Sequence, residues 1–150
     1  MFTSKTRNYI TKILVDIMFY GGIATCIALP FIMPWLLRFV GVRADLRMVY
    51  TIILLASGIP AVYIVYRLKC MFKTLVGGNP FVDGNVSALR HCAVASAVIA
   101  TVYLVRLFMW FTIAAAIIVV IFALLSLFSL TLKDLFKQAV AYKEETDWTV

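Results

Sequence analysis

The sequence predicts an all-α integral membrane protein: a bundle of four transmembrane helices with a C-terminal amphipathic cytoplasmic helix. Three observations carry that prediction. Hydrophobic residues make up 64% of the 150-residue chain, against roughly 45–50% in a soluble domain. Charged residues fall to 14%, where about 25% is usual. The apolar residues also gather into runs long enough to cross a bilayer, and the basic residues punctuate those runs. A net charge of +7 in one patch would suggest nucleic acid. Here the charges stand in short clusters at the ends of apolar runs, as membrane-flanking residues do, so direct nucleic-acid binding is not expected.

The first span is placed near 13–37, behind Lys5, Arg7 and Lys12. Its 25 residues exceed the roughly 7–15 of a signal-peptide core, and no A-x-A site follows. It therefore reads as a retained helix, bent or ended by Pro30 and Pro34. The second span is placed near 48–66, 19 residues without a formal charge. Its tyrosines lie toward the ends, where interfacial rings are favoured, and Pro60 removes a mid-span backbone donor. From Cys92 to Leu132 runs a stretch of 41 residues with Arg106 its only charge. As one helix it would reach about 60 Å, twice the hydrocarbon core of ~30 Å. Two spans near 90–108 and 112–132, reversing around Arg106 to Thr112, fit instead.

These spans leave a loop at 67–89 and a tail at 133–150 within a single membrane domain covering 1–150. Ten of the lysines and arginines fall on the side of both termini and this loop, and four on the other. Positive residues concentrate in the cytoplasm, which places both ends and the loop there. Gly77-Gly78-Asn79-Pro80-Phe81 is a turn signal, and Asn85 is a candidate N-cap for the following helix. In the tail, Leu132, Leu135, Phe136, Ala139 and Val140 recur at helical spacing, with Lys133, Asp134, Lys137 and Gln138 opposite. That is the pattern of an amphipathic helix.

Within the spans, Ala93, Ser96, Ala97, Ala100 and Thr101 share one face of the third helix, and Gly22 and Cys26 form a smaller pair on the first. Small residues permit close helix approach in lipid, either inside the bundle or in a homo-oligomer. Asp16 lies one turn into the first run, where it can pair with Lys12.

No catalytic constellation emerges. Ser57, Ser96, Ser126 and Ser129 have no base at their depth, and Asp16 has no second membrane aspartate. Cys26, Cys70 and Cys92 are scattered and His91 is the only histidine, so no metal site is expected. The glycines fit no phosphate-binding loop, and no cofactor is expected.

Asn79-Pro80-Phe81-Val82, then Asn85-Val86 and Leu89-Arg90, followed by the charged tail Lys143 to Val150, resemble an uncharacterised bacterial membrane family, the domain of unknown function 2975. The resemblance covers nearly the whole chain. Cys92 and Trp148 depart from it, standing where aliphatic residues are expected. It implies four helices in a bacterial plasma membrane and no established activity. Members of the family are often encoded beside a small helix-turn-helix protein, which implies a regulatory partnership.

The leading expectation is a non-enzymatic membrane protein acting with a cytoplasmic partner. Its contact residues would come from Asn79, Pro80, Phe81 and Asn85 in the loop. From the tail they would come from Leu135, Phe136, Val140, Glu144, Glu145 and Asp147. Loop and tail could instead dock on each other and cap the bundle. The alternative function is a small transporter or an immunity-type membrane protein, for which the spans offer little buried polarity.

Overall fold

The structure is a computed structural model that describes residues 4–78 and 81–148. All secondary structure among them is helical: α1 (Ser4–Phe39), α2 (Ala44–Val76), α3 (Asp83–Met109) and α4 (Ile113–Trp148). Each is long and apolar enough to cross a membrane. The helices extend well past the spans read from hydropathy because polar residues at their ends keep helical backbone after the apolar run stops. α1 has 36 residues and continues through Pro30 and Pro34. Of the two outcomes expected of those prolines, a bend or an end, termination does not occur.

The reversals follow local chemistry. Gly41 adopts φ +80°, while Val42 N–H donates to the Leu37 carbonyl at 2.9 Å. This six-residue closure satisfies a carbonyl orphaned at the end of α1 and needs left-handed backbone where glycine stands. Gly78 also has a positive φ, +90°, and its N–H donates to the Leu75 carbonyl at 3.2 Å after α2. α3 ends at Met109, where Trp110 leaves helical geometry at φ −142°.

Two corrections concern helix ends. Asn85 is not an N-cap, since α3 begins at Asp83 with Val82 as its extended flanking residue. A separate amphipathic tail helix is not found either. Leu132 to Trp148 continue α4, whose hydrogen-bonding ladder has no reason to break where apolar residues give way to polar helix formers.

The helices pack in chain order, α1 on α2, α2 on α3 and α3 on α4. Among the described residues the backbones of α1 and α4 do not approach each other. A cavity of 410 Å³ lies between the four helices at mid-height, lined by Cys26, Leu29, Ser57, Tyr103 and Phe122 among others.

Close packing is concentrated where side chains are small. On α1–α2, a Cβ at Gly22 would stand 3.1 Å from a Val62 methyl, and one at Gly58 would stand 3.1 Å from Cys26 Sγ. Gly22 and Cys26 thus form a contact inside the bundle. On α3 the buried residues are Asn85, Ala88, Leu89, Cys92, Ala93, Ala95, Ser96 and Ile99. Ala97 and Thr101 are exposed, so the packed face is rotated from the small-residue face the sequence suggested. Size alone could not resolve this, because α3 carries small residues on both sides. Across α3–α4, Ser126 Oγ donates to the Ala93 carbonyl at 2.8 Å, and Ala115 is fully buried.

Ser96 is completely buried, and its Oγ has no hydrogen-bond partner among the described residues. Its place depends on size. Ser96→Ala should raise stability in detergent by about 1 kcal/mol, the lower end of the cost of an unpaired buried hydroxyl. Ser96→Leu should lower it by about 1–3 kcal/mol through overpacking, with Ala97→Leu near neutral. Thermal melts of the three variants give the comparison, and equal loss at positions 96 and 97 would contradict the rotated face.

Candidate functional site

The sequence motifs converge at the end of the bundle where the α2–α3 turn meets α4. Phe81, just before α3, meets Phe136 of α4 edge to face with ring centroids 5.3 Å apart. Such a pair contributes about 0.5–1.5 kcal/mol beyond its buried area. Asn85, buried one turn later, donates from Nδ2 to Thr74 Oγ1 of α2 at 2.8 Å. Thr74 in turn donates to the Met71 carbonyl at 2.7 Å. A cavity of 160 Å³ lies beneath, lined by Leu68, Met71, Phe72, Leu75, Asn85 and Phe136. Phe81 and Phe136 therefore bring the start of α3 against α4 and cap this end of the bundle, with Phe81 still 41% exposed.

That geometry divides the predicted contact residues. Phe81, Asn85 and Phe136 are brought together in the cap, and Val140 is half-buried on the same side of α4 as Phe136. Leu135 points away from the bundle and is 54% exposed, and Tyr142, two turns further on, is 73% exposed. Glu144 and Glu145 are exposed beyond them. Asn79, Pro80 and the side chain of Asp147 lie outside the described residues.

Two polar clusters stand just below the cap. Lys69 of α2 meets Asp16 of α1 at 3.2 Å, a charge contact without the alignment of a hydrogen bond. Its ammonium lies 5.0 Å from the Phe19 ring centre and 4.7 Å from that of Tyr20. Asp16 thus pairs across helices with Lys69 and not along α1 with Lys12. The second cluster joins α2 to α3. Arg67 Nε donates to Tyr63 Oη at 2.9 Å, and Arg67 Nη2 lies 3.4 Å from His91 Nδ1. That nitrogen is 2.7 Å from the Ser87 carbonyl oxygen. A carbonyl only accepts, so Nδ1 carries a proton. Arg67 and Nδ1 are then neighbouring donors, and no hydrogen bond joins them.

At the opposite end, Arg106 donates to Thr112 Oγ1 at 3.0 Å and lies 5.6 Å from the Tyr50 ring centre. Tyr50 stacks on Trp110. No cluster of three or more His, Cys, Asp or Glu occurs among the described residues. Ser57 and Ser126 spend their hydroxyls on the Leu54 and Ala93 carbonyls.

Residues 8–150 match the family described as a protein of unknown function (DUF2975). The chain belongs to it. No curated protein and no solved structure matches. In this DUF2975 protein Phe81 thus docks on α4 and Asn85 on α2. Sequence reading found Phe81, Asn85 and Phe136, but it missed Thr74 and the Arg67–Tyr63–His91 cluster. The i, i+4 spacing of Tyr63 and Arg67 was legible, whereas their meeting with His91 depends on the pairing of α2 with α3.

Asn85→Ala should remove the hydrogen bond that Thr74 accepts and lower detergent stability by about 0.5–1.5 kcal/mol. Phe81→Ala and Phe136→Ala should each destabilise, and a double-mutant cycle should return a coupling of about 0.5–1.5 kcal/mol. Strict additivity of the two aromatic variants would mean that the cap contact does not form.

Proposed function

We propose that this chain is a non-enzymatic protein of a bacterial plasma membrane whose cytoplasmic end binds a soluble partner through the free side of the α4 extension. The observation that carries this reading is the two-sided end of α4. Phe136 and Val140 are turned toward the bundle, whereas Leu135 and Tyr142 lie seven residues apart on an exposed face. An i, i+7 apolar pair suits helix-in-groove recognition. Glu144 and Glu145 follow, and their charge would speed encounter with a basic partner in a salt-dependent way. A small helix-turn-helix regulator, the partner implied by the family resemblance, has that chemistry. Binding would hold it away from DNA.

The ten-to-four basic asymmetry supports the orientation. The scattered cysteines and the carbonyl-bonded serines support a non-enzymatic reading. Transport draws less support, because the central cavity is lined mostly by apolar groups, with Thr25, Ser57 and Tyr103 the hydroxyl exceptions.

Reporter fusions after Gly41 and after Val150 should give opposite compartments, with the latter cytoplasmic. The same compartment for both would overturn the topology. Co-expression with a small helix-turn-helix protein of the kind encoded beside family members should recover a complex in mild detergent. Leu135→Glu or Tyr142→Glu should abolish recovery while leaving the melting temperature unchanged. Glu144→Lys with Glu145→Lys should reduce recovery most at low salt. Absence of any complex with the unaltered chain would remove the regulatory reading.

A further inference from the structure

We propose that the furrow between α2 and α3 binds an acidic phospholipid, its phosphate held by Arg67 and Arg90 and one acyl chain lying along Ile59, Pro60, Val94 and Val98. This inference is independent of any soluble partner. The furrow is a hollow of 380 Å³ on the outer surface of the helix pair, almost wholly apolar, with Tyr63 and His91 at its upper end. Ile59, Val94 and Val98 are 63%, 58% and 44% exposed, so the hollow opens sideways toward lipid. A second hollow of 340 Å³ continues the line along Ile52, Ala56, Val102 and Val105. Together they provide a strip for a chain lying parallel to the helices.

Charge decides which lipid fits. Arg67 stands one turn above Tyr63, and its guanidinium uses Nε on Tyr63 Oη. A guanidinium carries five N–H donors, and no carboxylate pairs with Arg67 or Arg90 among the described residues. The ion pairs there are Arg43–Asp45, Lys69–Asp16 and Lys133–Asp134. Arg90 is exposed one turn before Val94, and helical side chains lean toward their helix N-terminus, here toward the headgroup level. Arg67, in contact with Tyr63 and beside His91, and Arg90, next to His91 in sequence, thus stand at the Tyr63–His91 end of the apolar strip. Basic pockets between helices at this level recognise acidic headgroups. Arg106 lines the far hollow as a single arginine bonded to Thr112, whereas Arg67 and Arg90 come from two helices at the Tyr63 end, which makes that the headgroup end.

The test uses full-length protein in mild detergent, titrated with phosphatidylglycerol, phosphatidylcholine or inorganic phosphate. Bound lipid is counted by native mass spectrometry and stability is followed by thermal melting. Phosphatidylglycerol should be retained and should raise the melting temperature, and the other two should do neither. Arg67→Gln with Arg90→Gln should weaken phosphatidylglycerol binding by about 10- to 30-fold, at about one basic contact's worth each. Val94→Trp with Val98→Trp should fill the strip and displace the lipid with both arginines present. Lys137→Gln with Lys143→Gln, removing equal charge elsewhere, should leave binding intact. Undiminished phosphatidylglycerol retention in the arginine variant would overturn the proposal. So would equal loss in the lysine variant, or equal stabilisation by inorganic phosphate.

Discussion

Lipid leaves a helix no water to hide from, so helices in a bilayer associate by contact and by the few hydrogen bonds that cross between them. In this protein that contact depends above all on the seam between α3 and α4. Ala93 and Ser96 on one side and Ala115 on the other are buried almost completely, and Ser126 reaches across to a backbone carbonyl. A leucine at these points would push the axes apart. α3 also bears the inner face of α2, through the Ser57–Tyr103 contact at 3.4 Å. Its small residues thereby set the spacing of three of the four helices.

The cap follows from that spacing. Phe136 can reach Phe81 only because α4 stays alongside α3 beyond the apolar span, and Asn85 can reach Thr74 only because α2 and α3 remain paired to their ends. The polar residues near the membrane surface are used in the same way, as connections between neighbouring helices. Asp16 joins α1 to α2 through Lys69, and Tyr63 of α2, bonded by Arg67, meets the His91 ring of α3 edge to face. The motif residues that proved structural are those facing inward. Leu135, Tyr142 and the terminal glutamates remain facing out.

Much of the architecture was legible because bilayer thickness imposes a length on each element. The number of long apolar helices and the reversal after Arg106 follow from counting residues. Helix ends were less legible, since hydropathy marks where lipid stops and says nothing of where backbone hydrogen bonding stops. α4 therefore runs through Lys133 into Trp148 without a break. The face of α3 was misplaced because Ala97 and Ala100 are as small as Ala93. Only the contacts with α4 distinguish them. Asn85 looked like a cap by type and position, but its partner Thr74 lies across the turn, where sequence spacing gives no hint.

The serial order of the helix contacts has a consequence for how the protein is made. Every extensive contact joins helices adjacent in the chain, so assembly needs no search between distant segments. Structures dominated by such local contacts form fast, since little loop-closure entropy opposes them. During synthesis each helix can settle against its predecessor as it enters the bilayer, and α3 has α2 to lean on before α4 exists. The first hairpin waits for nothing downstream. The tightest seam forms last, when α4 arrives against α3, so the final helix locks a fold that the earlier ones have already laid out.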